Sequence, residues 1–248
     1  MFDKTYFKEE LKRTFEINNI AHLLNEEAIE KFLRLTKILL TENEKYNLTA
    51  IKDIDKIILL HYADSLTAEA LFPVGASVID VGCGAGFPSV PLAICRPDLK
   101  ITAMDSTAKK VNYVSMVSDE LSLGINTVCA RAEDIAKADA SDSLRESFDC
   151  ATARAVADLT VLSELCLPMV KRGGAFIVMK GKNGLEELEN AKKAISTLGG
   201  KIETVSEFSI RDKAGELYER VSAKVIKVGK TPKEYPRAFA QIRKKPIS

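Results

Sequence analysis

The run Val78-Ile79-Asp80-Val81-Gly82-Cys83-Gly84-Ala85-Gly86-Phe87 constrains this chain more than any other: a short apolar stretch of high β propensity carries one acid and then breaks into three glycines at alternate positions. Apolar spacing resumes at Val90, Leu92, Ala93 and Ile94, so the glycines lie between a predicted strand and a predicted helix. Glycine at such a turn lets backbone N–H groups approach a bound molecule with no Cβ in the way. The helix that follows adds free N–H donors and a partial positive charge, which suit a carboxylate or a phosphate.

Spacing narrows the ligand. A dinucleotide turn wants G-x-G-x-x-G, whereas this one reads D-x-G-x-G-x-G with Pro88 close behind. The pattern resembles motif I of the class I S-adenosylmethionine-dependent methyltransferases, where no pyrophosphate has to be held. That resemblance implies an acid at the end of the next strand, and Ile101-Thr102-Ala103-Met104-Asp105 supplies one, 19 residues after Gly86. Asp105 can accept both ribose hydroxyls, and an anion there suits a neighbouring sulfonium cation. Asp80, Gly82, Gly84, Gly86 and Asp105 are therefore candidate cofactor-binding residues.

With 248 residues, 46% of them hydrophobic, the chain can bury the core of one α/β domain with an added subdomain. Residues 5 to 70 read as helices. Phe7, Leu11 and Phe15 repeat at four, Asn25 caps a helix carrying Ile29, Phe32, Leu33, Thr36, Leu39 and Leu40, and a further helix is predicted from Ile54 to Phe72. From Ser77 the rhythm changes to short apolar runs alternating with helical patterns, with strands predicted near 77–82, 100–105, 125–130, 148–153 and 174–180. Such alternation argues for a parallel sheet covered on both faces. Two last apolar stretches, Ile202 to Ile210 and Val221 to Val228, are joined by a segment too short for a helical crossover, so they should pair antiparallel. The expected organisation is a helical extension or cap over residues 1–72 and a Rossmann-like methyltransferase domain over 73–248.

Cys83, Cys95, Cys129, Cys150 and Cys166 are odd in number and lack C-x-x-C spacing, which points to reduced, packed thiols; with only His22 and His61 available, no metal site is expected. No signal segment or membrane span is legible, so a cytoplasmic protein with no membrane partner is expected, and the expected state is a monomer. The net charge of +1 hides an asymmetry. From Lys227 onward, Lys227, Lys230, Lys233, Arg237, Arg243, Lys244 and Lys245 stand against Glu234 alone, a basic end that suits a polyanion.

Further motifs follow one another along the whole chain: Asn47-Leu48-Thr49-Ala50; His61-Tyr62-Ala63-Asp64-Ser65-Leu66; the glycine loop ending in Phe87-Pro88; Arg131-Ala132-Glu133; Ala153-Arg154-Ala155; Lys180-Gly181; and Tyr235-Pro236-Arg237 with Lys244-Lys245-Pro246-Ile247. Together they resemble the bacterial small-subunit ribosomal RNA guanine-N7 methyltransferases, the glucose-inhibited division protein B family. The resemblance implies a mostly parallel seven-stranded sheet with an antiparallel last strand. It also implies that Gly82 and Phe87 border the cofactor, Ala132 and Glu133 flank the adenine, and Arg154 sits at the reactive end. Ser89, Cys83 and Phe239-Ala240 depart from the family pattern, the last pair standing where a glycine-containing stretch is common.

The implied reaction is methyl transfer to N7 of a guanine in 16S ribosomal RNA, free or in the small subunit. Guanine N7 is an unprotonated acceptor, so no general base is required. Accordingly, Asp149-Cys150-Ala151-Thr152-Ala153-Arg154 lacks the N-P-P-Y signature of exocyclic amine methylation. Arg154 is the candidate catalytic residue, its planar fork able to hold guanine O6 or a phosphate. Lys180, Arg237, Arg243, Lys244 and Lys245 are candidate RNA-binding residues. His61 and Asp64, a helical turn apart, are either a pair closing over the cofactor or a buried, hydrogen-bonded structural element. A nicotinamide-dependent oxidoreductase and a non-catalytic RNA-binding assembly factor are the alternative readings.

Overall fold

A computed structural model describes residues 3–154 and 157–247. Ala155, part of the Ala153-Arg154-Ala155 motif, lies outside the described residues, as do the first two residues of the expected extension. The sheet runs β3 (Asn126–Cys129), β2 (Lys100–Asp105), β1 (Ser77–Val81), β4 (Phe148–Arg154), β5 (Val170–Gly181), β7 (Leu217–Lys227), β6 (Gly200–Arg211). The first five strands are parallel, and β7 inserts antiparallel between β5 and β6, so only the last strand opposes the rest. That is the expected fold. The β6–β7 turn is tighter than the sequence suggests, because Asp212 Oδ1 accepts the N–H groups of Ala214 and Glu216, each at 2.9 Å.

Alternation along the strands sorts the core into two layers. Val78, Ile101 and Ala103 face one layer, packed against α1 (Lys4–Ile17), α2 (Glu26–Tyr46), α5 (Ser89–Cys95) and α6 (Ala108–Leu121). Ile79, Val81 and Met104 face the other, with α7 (Ala132–Ile135), α8 (Leu159–Cys166), α9 (Gly184–Thr197) and α10 (Phe239–Lys244). Phe7, Leu11 and Phe15 are fully buried, as the period of four requires, and Asn25 caps α2 by accepting Ala28 N–H at 2.8 Å.

The helix predicted over 54–72 is not continuous. It comprises α3 (Ile54–Ile57), a π-helical turn (Ile58–Ala63), α4 (Asp64–Leu66) and a 3-10 turn (Glu69–Leu71). Periodicity does not register the π turn, because the unbroken apolar run Ile57-Ile58-Leu59-Leu60 fixes no helical phase there. Two further expectations need correction. Cys129 is exposed at the end of the edge strand β3 rather than packed. Lys227 belongs to β7 and is fully buried, donating to Leu167 O at 2.6 Å and Thr231 Oγ1 at 2.7 Å; burial lowers its pKa to about 8. It is no part of a surface charge patch.

Candidate active site: two cavities that share an arginine

The parallel register sets Gly82, Asp105, Ala130 and Arg154 at the carboxyl ends of four adjacent strands. From the end of β3 to that of β4 is three strand spacings, about 14 Å. A cavity of about 500 Å³ lies along this edge, lined among others by Gly82, Gly84, Phe87, Asp105, Ala132, Glu133 and Arg154.

The glycine loop is built by its own backbone. Gly82 and Cys83 N–H both donate to Met104 O at 2.8 Å, while Gly82, Gly84 and Gly86 take φ of 77°, 56° and 84°, which favour glycine. The latter two serve different ends. A Cβ on Gly84 would meet only Gly82 O, at 4.0 Å, and would stand in the cavity, whereas one on Gly86 would strike Val90 Cγ2 at 2.6 Å. Gly84 thus keeps a cradle open for a ligand, and Gly86 lets the loop close on α5.

Asp105 ties this loop to α6. Its Oδ2 accepts Gly84 N–H at 3.2 Å and faces Lys110 Nζ at 3.4 Å, while Oδ1 accepts Thr107 N–H at 2.9 Å. Each oxygen keeps acceptor capacity, so the carboxylate is held in place and can still receive ligand hydroxyls. Glu133 is buried and lies 3.6 Å from Arg131. Asp80 does not line the cavity. It sits beneath the loop, where Oδ2 accepts from the N–H and hydroxyl of Ser89 and Oδ1 is buried without a partner among the described residues; burial raises its pKa to about 6. Ser89, a departure from the family pattern, is thus the residue that holds this acid.

At the other end, His61 stacks on Phe87 with ring centroids 4.3 Å apart and shares a hydrogen bond of 2.8 Å with Thr49 Oγ1. Burial, and then the Arg154 charge, lower its pKa to about 4, so the imidazole is neutral. His61 and Asp64 bond elsewhere rather than to each other. Asp64 accepts Arg220 Nε at 2.7 Å and Arg154 Nη1 at 3.3 Å, and Arg154 Nη1 also donates to Leu60 O in the π-helical turn at 3.0 Å. The irregular helix thereby brings a carbonyl and a carboxylate to the end of β4. Arg154 and His61 also line a second cavity of about 460 Å³, whose walls include Asp64, Lys180, Glu187, Phe208 and Arg220.

Two of the five candidate RNA-binding residues are engaged internally. Lys180 pairs with Glu187 at 2.6 Å and donates to Ala157 O at 2.6 Å. Arg237 donates to both oxygens of the buried Glu164, at 2.9 and 2.6 Å. Arg243, Lys244 and Lys245 are exposed. No motif or spacing in the sequence gives Arg220 a role, and Phe239 stands out there only as a departure from the family pattern. Arg220 left no local signal, being 156 positions from Asp64. For Phe239 the signal was an aromatic ring in an otherwise basic arm.

The family model described as GidB, rRNA small subunit methyltransferase G, matches residues 28–214. Ribosomal RNA small subunit methyltransferase G of Clostridium beijerinckii is 46% identical over 227 residues, covering 90% of this chain and 92% of the relative. The protein of the same name from Staphylococcus carnosus is 44% identical with the same coverage. Among solved structures, a putative transferase from Pyrococcus horikoshii (TM-score 0.52, 15% identity, 66% of this chain and 62% of that one) has a similar fold. So does M. jannaschii TYW2 in complex with AdoMet (TM-score 0.50, 14% identity, 66% and 74%). By the family match and the full-length relatives together, this chain belongs to the GidB family, rRNA small subunit methyltransferase G.

Proposed function

We propose that this methyltransferase uses S-adenosylmethionine to methylate N7 of a guanine in 16S ribosomal RNA, acting as a cytoplasmic monomer. The observation that carries the reading is the pair of cavities meeting at Arg154 and His61, one suited to a nucleoside cofactor and the other large enough for an unstacked base. No helix among the described residues is long and apolar enough to cross a membrane. Family membership selects methyl transfer over nicotinamide-linked hydride transfer.

The residues present fit the cofactor. Gly84 leaves room where any side chain would intrude, Asp105 offers acceptors to the ribose, and Ala132 and Glu133 border the adenine. The cofactor, when bound, supplies an electrophilic methyl group on a positively charged sulfur. The neutral state of His61 keeps a second positive charge away from that end of the cavity. Guanine N7 arrives with its lone pair free, so no side chain has to remove a proton. The protein's task is then alignment. Arg154 is the residue for it, because both anchors, Leu60 O and Asp64, hold the same Nη1 and fix the guanidinium plane between the cavities. From there it can donate to guanine O6 or a phosphate.

RNA is held outside the site by the exposed Arg243, Lys244 and Lys245, whereas Lys180 and Arg237 act through the elements they anchor. Residues 1–72 serve as a cap over the 73–248 domain, delivering Leu60, His61 and Asp64 to its edge. Incubating the protein with methyl-labelled S-adenosylmethionine and 16S RNA or small subunits from a strain lacking the gene should label the 16S RNA. Absence of label in both substrates would overturn the proposal.

A further inference from the structure

We propose that Phe239, on the C-terminal arm, is a cofactor-binding residue that covers the adenine end of the cavity along the glycine loop. The inference rests on reading that cavity as the S-adenosylmethionine site and adds to it a wall from a part of the chain remote from the glycine loop.

The ends of the cavity have different linings. His61, Phe87 and Arg154 stand at the β4 end, while Ala130, Arg131, Ala132 and Glu133 follow β3 at the other. Phe239 belongs to the second group. Its ring lies 5.9 Å from the Arg131 guanidinium and packs at the margin of the core layer that contains Met104, Ala132 and Leu165, all of which line the same cavity. A half-buried phenyl ring, an alanine, a methionine and a leucine make an apolar wall suited to the flat, polarizable face of a purine.

The arm is framed so that this ring cannot easily leave. Arg145 donates to the carbonyls of Thr231, Pro232 and Tyr235 at 2.6, 3.1 and 2.7 Å. Arg237 grips Glu164 on α8 through Nε and Nη2, and its backbone N–H reaches the same carboxylate at 2.8 Å. Beyond Phe239, Ile242 is fully buried in the core layer. Anchors on both sides thus present Phe239 to the open cavity, where its ring stays partly exposed.

Calorimetric titration of the full-length protein with S-adenosylhomocysteine and with 5′-methylthioadenosine tests the assignment. Both ligands carry the nucleoside, and only the first carries the amino acid. Phe239→Ala should weaken both by a similar factor, about five- to tenfold, and Phe239→Leu by less. Unchanged thermal unfolding of the ligand-free variants would show that the fold is intact, and Phe239→Leu preserves the test should the alanine variant misfold. Unaltered affinity for both ligands would overturn the proposal, as would a loss confined to S-adenosylhomocysteine, which would place the ring on the amino-acid half. Asp105→Ala, run in parallel, separates the two layers of inference. Wild-type binding that Asp105→Ala abolishes and Phe239→Ala spares defeats the role of Phe239 alone, whereas a wild-type protein that binds neither ligand defeats the cavity reading and this proposal with it.

Discussion

The end of β4 and the C-terminal arm each set an arginine against a carboxylate, half-buried Asp64 in the first and fully buried Glu164 in the second. Arg237 spends its backbone N–H, Nε and Nη2 on Glu164, which is 1% exposed, and its Nη1 on Lys245 O at 3.0 Å. Arg154 meets Asp64 and Leu60 through Nη1 alone, and Asp64 is shared with Arg220. The first pair is a closed bidentate lock that fastens the arm to α8. Among the described residues the second arginine hydrogen-bonds through Nη1 only, with its guanidinium carbon 5.6 Å from the Phe87 ring centroid, at the junction of two cavities. Two arginines thus do different work, and the difference lies in how many donors remain for a ligand.

Replacing each arginine separates these roles. Arg154→Ala should lower single-turnover methyl transfer by between about 10² and 10³-fold, the range for losing a positioned donor at a reacting centre. Its thermal midpoint should move by only a few degrees, because Asp64 keeps Arg220 at 2.7 Å. Arg237→Ala should do the reverse. It strips both side-chain donors from buried Glu164 and leaves it only the backbone N–H of residue 237, a loss of about 3 kcal/mol that amounts to roughly 6–12 °C in midpoint, with single-turnover methyl transfer at saturating cofactor and RNA nearly unchanged. A large catalytic defect in Arg237→Ala without destabilisation would break the contrast.

Arg154 also lies near enough to two titrating groups to depress both, and their signs can be worked out. Asp80 is raised by burial from 3.8 to about 6, so the folded chain keeps a proton that the unfolded chain releases, and stability falls as pH rises from about 4 to 6. His61 is lowered by burial from 6.5 to about 4, so the unfolded chain binds a proton that the folded one refuses, and stability falls as pH drops through the same window. The two oppose each other. Relative to wild type, Asp80→Asn should steepen the loss of stability on acidification, and His61→Phe should reverse its sign, both read from thermal midpoints between pH 4 and 6.5. Parallel pH profiles for both variants and wild type would show that neither group titrates as assigned.

The smallest effect belongs to the exposed end of the arm. The double substitution Arg243→Ala with Lys244→Ala should make the logarithmic salt dependence of RNA binding shallower by about 1 to 2. Cofactor affinity should not change, and an unaltered salt slope would remove these residues from the RNA surface.

What the sequence disclosed follows from distance along the chain. The glycine loop and Asp105 are complete within a strand, a turn and the next strand, so spacing alone exposes them, and alternation of apolar runs is enough to order five parallel strands. The Arg154–Asp64–Arg220 cluster joins three segments, the first two of them 90 positions apart, and no local pattern announces it. Charge counting misjudged the arm for the same reason. Lys227 and Arg237 look like members of a basic tail until Leu167, Thr231 and Glu164 are brought against them. Asp80 was placed in the ligand site by its position beside the glycines, but the strand's alternation turns it toward Ser89 instead.

The central claim is that this edge of the sheet delivers a methyl group to guanine N7. Alkylation at N7 labilises the base, so borohydride reduction followed by aniline cuts the RNA chain at the modified residue. Treatment of 16S RNA from a strain lacking the gene with the purified protein and S-adenosylmethionine should create one new scission site, absent when the protein carries Arg154→Ala. Methyl label that enters the 16S RNA without creating a scission site would contradict the account, because the methyl group would then sit on another atom.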